Sequence, residues 1–171
     1  GISLNTFNPF PEADFFIKNE IGNGFQLVFN VINQRAIDLF EKSKQNGYGI
    51  IARMPLQFGL LTGKFTKETT FPPNDHRHFR LTEEILSKSL DMLEEVWPLA
   101  EKMNISKTSL SMSYILAFDE ISTVIPGIKT ESQAIQNTKD IIKLSAEEKD
   151  RLINLYNDKL YQIVNLMERQ G

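Results

Sequence analysis

Short apolar runs alternate with longer amphipathic segments along this chain, and this alternation restricts the fold more than any other feature. Three runs have the length and the β-branched and aromatic content of strands, namely 26–32, 49–54 and 122–126. Residues 1–3 read as the end of a fourth strand. Because the three full runs are mostly apolar, they indicate parallel strands that are covered on both faces. Strands that alternate with helices predict an α/β protein.

Helix signals fill the segments between the predicted strands. The apolar spacing predicts one helix over residues 33–46, and a long amphipathic stretch over residues 83–103 that Pro98 should kink or divide. Three further helices are expected to begin at capping residues, the last two of them within capping boxes: Ser106, Thr130 and Ser145.

Two α/β architectures fit this pattern, an open doubly wound sheet and half of a (β/α)8 barrel. A barrel usually needs roughly 250 residues, so the 171 residues of this chain could supply about four of its βα units. Four parallel strands alone would leave two unpaired edges, and something would have to cover them. The chain also begins without Met inside a strand-like run, so we expect a fragment, a processed chain or an incomplete one.

Composition and charge exclude several classes of partner. A formal net charge of -3 argues against a nucleic acid or an anionic membrane, since both need a basic face. There is no apolar run of about 18 residues or more, and no basic and apolar leader. The chain has no Cys, which excludes a disulfide framework and fits a reducing compartment, so the cytoplasm is the expected location.

The loop after the last predicted strand could hold an anion. The strand ends at Pro126 and Gly127, Thr130 then opens a capped helix, and Lys129 lies beside that helix N-terminus. Unpaired N–H groups and a lysine charge both favour an anion there. In (β/α)8 barrels the loops after the last two strands are the usual phosphate site. A plain connecting loop with a solvated lysine explains the same residues.

The loop over residues 55–64 is a second candidate. Its two glycines, four residues apart, allow the backbone to approach a ligand closely, and Lys64 stands at its end. The pattern GxxxxGK[ST] is absent, so this is not a Walker-type loop, and a tight turn is the alternative.

The long polar segment 66–80 follows and is of the kind that usually has a function. Its tetrad DHRH offers metal ligands but lacks the distant partners that zinc needs.

Several motifs together resemble the aldo-keto reductase family. They are IARMPLQFGLLTGKF, then FPPNDHR, then VIPG with a downstream Gln and Asn, and upstream GIS, Gln26 and Arg35 fit the same template. The resemblance extends from Gly1 to about Leu144. It implies a (β/α)8 barrel that binds extended NADP(H) across its C-terminal face and reduces aldehydes and ketones. It further implies that residues 1–171 form one domain, the C-terminal half of such a barrel with a C-terminal covering helix and with the N-terminal half absent.

The resemblance also implies a cofactor site, in three parts. The positions that it implies for the nicotinamide are Ser3, Gln26 and Arg53. Those that it implies for the diphosphate are Pro55, Leu56, Gly59, Lys64 and Arg77. Those that it implies for the adenosine and its 2′-phosphate are Gly127, Lys129, Gln133 and Asn137.

Some residues depart from the family's pattern. Leu4 replaces the Asn or Arg that commonly follows the serine, which weakens the clamp on the carboxamide. Gln133 and Gln136 stand where other members have Arg and Glu, so NAD is an alternative to NADP. Gln26 could simply satisfy a neighbouring backbone group, since buried amides generally find partners.

The family's catalytic Asp, Tyr, Lys and His belong to the first four strands of the barrel and have no counterpart here. The four tyrosines of this chain fall on helix patterns or in a helix-ending turn. General acid catalysis needs a positioned proton donor, so we predict no catalytic residue.

Two functions therefore remain open. The chain is the cofactor-binding half of an NADP(H)-dependent aldo-keto reductase-like oxidoreductase that acts on a small carbonyl compound. Alternatively, it is a truncated, inactive half-barrel that serves as a structural or cofactor-binding regulatory module. In either case we expect a missing N-terminal half-barrel or a homo-oligomer to cover the strand edges.

Overall fold

A parallel four-stranded sheet is the framework of the computed structural model, which describes residues 1–170. Its strands are β1 (Ile2–Ser3), β2 (Gly24–Val28), β3 (Gly49–Arg53) and β4 (Ile121–Ile125). They lie in the order β1-β2-β3-β4, each hydrogen-bonded to the next in the sequence. A doubly wound sheet reverses its strand order at a switch point, whereas a (β/α)8 barrel does not. The observed order is therefore that of four successive barrel strands.

The predicted strands are confirmed, but the first full one ends earlier than expected. The run 26–32 was predicted as a strand, and β2 stops at Val28. The side chain of Asn30 is the physical reason, because its Oδ1 accepts the backbone N–H groups of Ile32 and Asn33, each at 2.9 Å. An asparagine that bonds the backbone two and three residues ahead makes a turn instead of a strand.

Helices and single turns occupy the connections. The α-helices are α1 (Phe10–Lys18), α2 (Phe40–Gln45), α3 (Arg77–Arg80), α4 (Glu83–Leu93), α5 (Trp97–Lys102), α6 (Lys107–Ile115), α7 (Glu131–Thr138), α8 (Ala146–Leu155) and α9 (Tyr161–Arg169). Shorter pieces are the 3₁₀ turns Ile37–Leu39 and Gln57–Thr62 and the π turn Tyr156–Leu160. No helix within residues 1–170 is long and apolar enough to cross a bilayer.

The helix over 33–46 was predicted too long at its start. Helical structure begins only at Ile37, since the side chains just before it bond the backbone elsewhere. Gln34 Nε2 donates to Val31 O at 3.1 Å, and Arg35 Nη1 donates to Phe7 O at 3.0 Å.

Two other helix predictions are confirmed. The stretch 83–103 divides into α4 and α5, with Pro98 in the first turn of α5, where a proline needs no N–H partner. Ser106 Oγ caps α6 by accepting the N–H of Ser109, and the capping box of Ser145 and Glu148 is complete.

The core lies between the sheet and the helices on one side of it. Phe25, Leu27, Ile50 and Ala52 alternate along β2 and β3 and are fully buried, because alternate strand residues point to the same face. An aromatic cluster continues this core at the ends of the strands and beneath α6, and it consists of Phe29, Phe40, Tyr114 and Phe118.

The opposite face of the sheet is open. Ser3, Gln26, Ile51 and Thr123 lie in one row across the four strands. Ile51 is 36% exposed and Ile125 is 44% exposed. The expectation that both faces are covered is thus wrong for residues 1–170, because their helices lie on one side only. In a closed (β/α)8 barrel this row would face the packed interior.

We predict that the 171-residue polypeptide by itself self-associates or needs a partner. It exposes apolar residues on the open face together with the unpaired edges of β1 and β4, and both favour association. Size-exclusion chromatography with light scattering should therefore give a mass above that of the monomer, and Ile51→Lys should lower it. A monomer that unfolds in one cooperative transition would contradict the half-barrel interpretation.

Candidate functional site

One cleft at the carboxyl ends of β3 and β4 contains most of the predicted site residues. Its volume is about 390 Å³. Of the predicted positions, those that line it are Pro55, Leu56, Gly59, Lys64, Arg77, Gly127, Lys129, Gln133 and Asn137. Lys64 Nζ lies 3.4 Å from Gln136 Oε1, so side chains from the two loops meet. The fold thus brings together the predicted diphosphate and adenosine positions.

A left-handed turn over residues 54–59 forms one wall of the cleft. The φ angle is 55° at Met54, 43° at Gln57, 58° at Phe58 and 100° at Gly59. A side chain usually disfavours this region by roughly 1–2 kcal/mol, so three such residues in one turn need support from their surroundings. Gly59 cannot be replaced easily, since an added Cβ would lie 2.8 Å from a ring carbon of Phe65.

Two buried amides support this turn, and sequence reasoning missed both. Asn30 Nδ2 donates to the main-chain oxygen of Met54 at 2.9 Å and to Gln57 Oε1 at 2.8 Å. Gln57 Nε2 in turn lies 3.1 Å from Met167 Sδ in α9. A polar residue inside an apolar run was the available signal for Asn30, because a buried amide must find partners.

The N-terminus of α7 forms the opposite wall. Thr130 Oγ1 accepts the N–H of Gln133 at 3.2 Å, so the predicted cap is confirmed. The predicted capping box also needs Gln133 to accept the N–H of Thr130, and this part of the prediction is wrong. Gln133 Oε1 instead accepts the N–H of Lys129, one residue before the cap, at 2.7 Å. Asn137 Nδ2 donates to the main-chain oxygen of Gly127 at 3.4 Å, which holds the loop against the helix.

Arg77 is held by a carboxylate before any ligand arrives. Its Nε lies 3.0 and 3.1 Å from the two carboxylate oxygens of Asp75, and its guanidinium carbon lies 4.7 Å from the ring centroid of Phe71. The hydrogen bonds that Arg77 donates keep the pKa of Asp75 well below its ordinary value. Within residues 1–170, Lys64 and Lys129 have no carboxylate partner, so they are the unneutralised charges of the cleft.

The three predicted nicotinamide positions lie outside this cleft. Ser3 and Gln26 are register partners whose Oγ and Oε1 are 3.3 Å apart, and both line an opening of about 410 Å³ on the sheet. Arg53 lines a third cavity, of about 580 Å³. Its Nη2 donates to Leu4 O at 3.2 Å and to Thr6 Oγ1 at 3.1 Å, and burial lowers its pKa. Arg53 is therefore fixed to the loop that follows β1.

None of the tyrosines lines these three cavities in the part of the chain that the structure describes. The Tyr48 hydroxyl lies 2.9 Å from Phe16 O and 3.0 Å from Ile21 O, so its one proton is donated to a main-chain oxygen, and its ring stacks on Phe25 with centroids 4.6 Å apart. Tyr114 is buried in the aromatic cluster, and burial raises its pKa. These positions suit packing, not proton donation to a ligand.

The histidines of the DHRH tetrad have other contacts. His78 Nδ1 lies 2.8 Å from Phe71 O, and the ring of His76 packs edge-on against Phe58. Across residues 1–170, no group of three or more His, Asp or Glu side chains is placed to hold a metal ion.

Comparison with known families agrees with this geometry. The family model described as "Aldo/keto reductase family" matches residues 24–157. The chain belongs to the aldo/keto reductase family. The resemblance seen in the sequence is confirmed, and the matched region includes both loops of the cleft.

Curated relatives within the family match over part of their length. The chain is 32% identical over 120 residues to aldo-keto reductase str7 from Strobilurus tenacellus, covering 68% of this chain and 36% of that protein. It is 29% identical over 133 residues to L-glyceraldehyde 3-phosphate reductase from Escherichia coli strain K12, covering 71% of this chain and 37% of that protein. The chain spans less than half the length of these relatives.

A solved structure supports the fold class. Glycerol dehydrogenase AKR11B4 from Gluconobacter oxydans superposes with a TM-score of 0.73 at 24% identity, and the match covers 93% of this chain and 49% of that chain. At this identity the likeness shows the fold alone. The predicted fold class, an α/β chain matching about half of a (β/α)8 barrel, is confirmed.

We predict that the carboxyl group of Asp75 titrates well below the ordinary aspartate pKa of about 3.9. Arg77 stabilises the ionised form, so the pKa is lower in the folded than in the unfolded state. The pair therefore stabilises the fold above the ordinary pKa, and this contribution disappears as the pH falls through the lowered pKa. Carbon-13 NMR of the carboxyl group measures the midpoint. Arg77→Gln should return it towards the ordinary value, and a normal midpoint in the unsubstituted protein would show that the pair does not form.

Proposed function

We propose that this chain is the cofactor-binding half of an NADP(H)-dependent oxidoreductase that reduces aldehydes or ketones. The observation that supports this most strongly is the single cleft between the 54–59 turn and α7. Residues implied for the diphosphate lie on one side of it and those implied for the adenosine on the other. An extended dinucleotide needs two such subsites side by side, joined by backbone that approaches the phosphates closely.

The charges of the cleft support an anionic ligand. The chain has a net charge of -3, yet no Asp or Glu lines the cleft within residues 1–170. Lys64, Arg77 and Lys129 do line it. A concave surface with charges of one sign attracts a ligand of the opposite sign, here phosphate groups.

We assign the 2′-phosphate of NADP(H) to Lys129 and the N-terminus of α7. Helix N–H groups and a lysine without an ion pair both favour a phosphate there, and NAD(H) has no charge at that point. NAD(H) remains the alternative, because Gln133 takes the place of an arginine. The relatives include both types, an aldo-keto reductase yakc [NADP(+)] from Schizosaccharomyces pombe and an NADH-specific methylglyoxal reductase from Escherichia coli.

The substrate that we propose is a small carbonyl compound. Relatives are named for L-glyceraldehyde 3-phosphate, for methylglyoxal and for L-galactose. The bound cofactor would supply the hydride. This chain would bind and orient the cofactor, and within residues 1–170 no tyrosine lines the three cavities for the accompanying proton transfer.

The proton donor would come from an N-terminal half-barrel, which would also cover the open face of the sheet, and a second copy of this chain is the alternative cover. We propose the cytoplasm as the location, because a chain without Cys fits a reducing compartment.

A second function is a cofactor-binding regulatory module without catalysis. Two relatives favour it, each named a probable voltage-gated potassium channel subunit beta. The rice protein matches 75% of this chain and the Arabidopsis thaliana protein 81%. A regulatory module needs the cleft but not the proton donor, so turnover separates the two functions.

We predict that Lys129→Ala weakens the binding of NADPH more than the binding of NADH. Only NADPH has a phosphate at that subsite, and a partly exposed charge contact of this kind corresponds to about tenfold in affinity. Lys64→Ala and Arg77→Ala should weaken the binding of NADPH and of NADH equally, because both cofactors contain the diphosphate. Fluorescence titration of each cofactor measures these affinities.

Lys18→Ala is the matched control, since Lys18 lies in the last turn of α1 and lines none of the three cavities. It should change neither affinity. An equal effect of Lys129→Ala on both cofactors would remove Lys129 from the 2′-phosphate subsite. If none of the cleft variants changes either affinity, the phosphate assignment is wrong.

We predict that the 171-residue chain alone does not oxidise NADPH with a generic aldehyde above background. The same chain reconstituted with an N-terminal half-barrel of the family should do so. The measurement is the loss of NADPH absorbance after repurification of each sample. Steady turnover by the chain alone would show that it contains a proton donor after all, and a reconstituted barrel that binds NADPH without turnover would favour the regulatory function.

A further inference from the structure

Asn30 is a fully buried side chain whose hydrogen-bonding groups are all used within this chain. An asparagine amide has two N–H donors and an oxygen with two lone pairs. The oxygen accepts the N–H groups of Ile32 and Asn33, each at 2.9 Å. The nitrogen donates to Met54 O at 2.9 Å and to Gln57 Oε1 at 2.8 Å. Asn30 therefore has no group left for a ligand and acts as a fixed connection between two loops.

The connection ends on the strained part of the 54–59 turn. Met54 and Gln57 are both left-handed, with φ of 55° and 43°. Strained backbone of this kind persists only where the surrounding structure determines it. The Asn30 amide bonds the main chain of the first residue and the side chain of the second. These two bonds link the strained residues of the turn to the loop that follows β2.

The turn separates two cavities. Met54, Gln57 and Phe58 line the cleft between the turn and α7, and they also line the larger cavity that contains Arg53. A change in the backbone of the turn would move the walls of both cavities together. The adenosine end of the cleft lies on α7 and its preceding loop, which Asn30 does not contact.

We propose that Asn30 is a positioning residue for the cofactor's diphosphate, which it does not touch. It holds the 54–59 turn in the left-handed conformation in which the backbone of the turn can line the diphosphate subsite. This inference rests on the proposed function, since the subsite is assigned there. A purely local role, in which Asn30 only shapes its own loop over residues 30–33, is the alternative that the experiment must exclude.

Asn30→Ser separates the two roles. A serine hydroxyl can still accept the N–H groups of residues 32 and 33 in a weaker turn of the same type, but it is too short to reach Met54 O or Gln57. Two probes are titrated against the protein, NADPH and adenosine 2′-monophosphate, the second of which has the adenosine and its 2′-phosphate but neither phosphate of the diphosphate. We expect Asn30→Ser to weaken the binding of NADPH about tenfold and that of adenosine 2′-monophosphate by less than about twofold.

Gln34→Ala is the matched control. Gln34 is as buried as Asn30 and lies in the same loop, but its side chain donates to Val31 O and Leu152 O and to neither the turn nor Thr6, which holds Arg53. It should leave the affinity for both probes unchanged. If Asn30→Ser weakens the binding of both probes equally, or if Gln34→Ala weakens that of NADPH as much, Asn30 has only a structural role. An unchanged NADPH affinity in Asn30→Ser would also overturn the proposal.

A double variant and hydrogen exchange test directly whether Asn30 acts through the turn. Gln57→Leu removes the acceptor on the turn, and its effect on NADPH should be less than additive with that of Asn30→Ser, because both variants break one connection. Additive effects would mean that Asn30 does not act through the turn. Backbone hydrogen exchange over residues 54–62 should accelerate in Asn30→Ser without any ligand.

If Asn30→Ser does not fold, Gln57→Leu with the two probes gives the same comparison from the side of the turn. A protein that binds neither probe before substitution would refute the proposed function and this inference together. A protein that binds both probes and shows no selective loss would refute this inference alone.

Discussion

The hydrogen bonds between the Asn30 amide and the turn after β3 are the constraint on which the site geometry depends. Without partners, a turn with left-handed Met54, Gln57 and Phe58 would relax to a more favourable backbone. Burial makes the arrangement more rigid, since an amide removed from water costs free energy unless every group is paired. The loop after β2, the turn and α9 are thereby connected through one chain of contacts, from Asn30 to Gln57 to Met167. Strand order determines which loops are neighbours, and these contacts determine how they face each other.

Local charge differs from the charge of the whole chain. The net charge of -3 would suggest a surface unattractive to phosphates, yet the cleft has lysines and an arginine and no carboxylate in its lining within residues 1–170. Asp75 lies just beside it and pairs with Arg77, which fixes the guanidinium but also reduces its free charge. The three cations are therefore not equivalent. Arg77 would contact a ligand while it is paired with Asp75, whereas Lys129 has no carboxylate partner within residues 1–170.

Local sequence signals predicted the framework well, because they report on short-range physics. The apolar runs located all four strands, the serine and threonine caps located the starts of α6, α7 and α8, and Pro98 marked the division between α4 and α5. Ordered motifs identified the family, and nine of the predicted positions do line one cleft.

Local sequence signals could not predict the contacts between residues that are distant in the sequence. The end of β2 depends on where the Asn30 side chain points, and the pairing of Arg77 depends on the fold of its loop. The separation of Ser3 and Gln26 from the cleft depends on which face of the sheet stays open. In α9, Met167 lies 110 residues from Gln57 in sequence and touches it in space. Met167 also lines the cavity that contains Arg53, so the last helix forms part of that cavity's wall as well as covering the core. Removing Met167 would therefore change the shape of that cavity and, at the same time, take away the sulfur atom that Gln57 contacts.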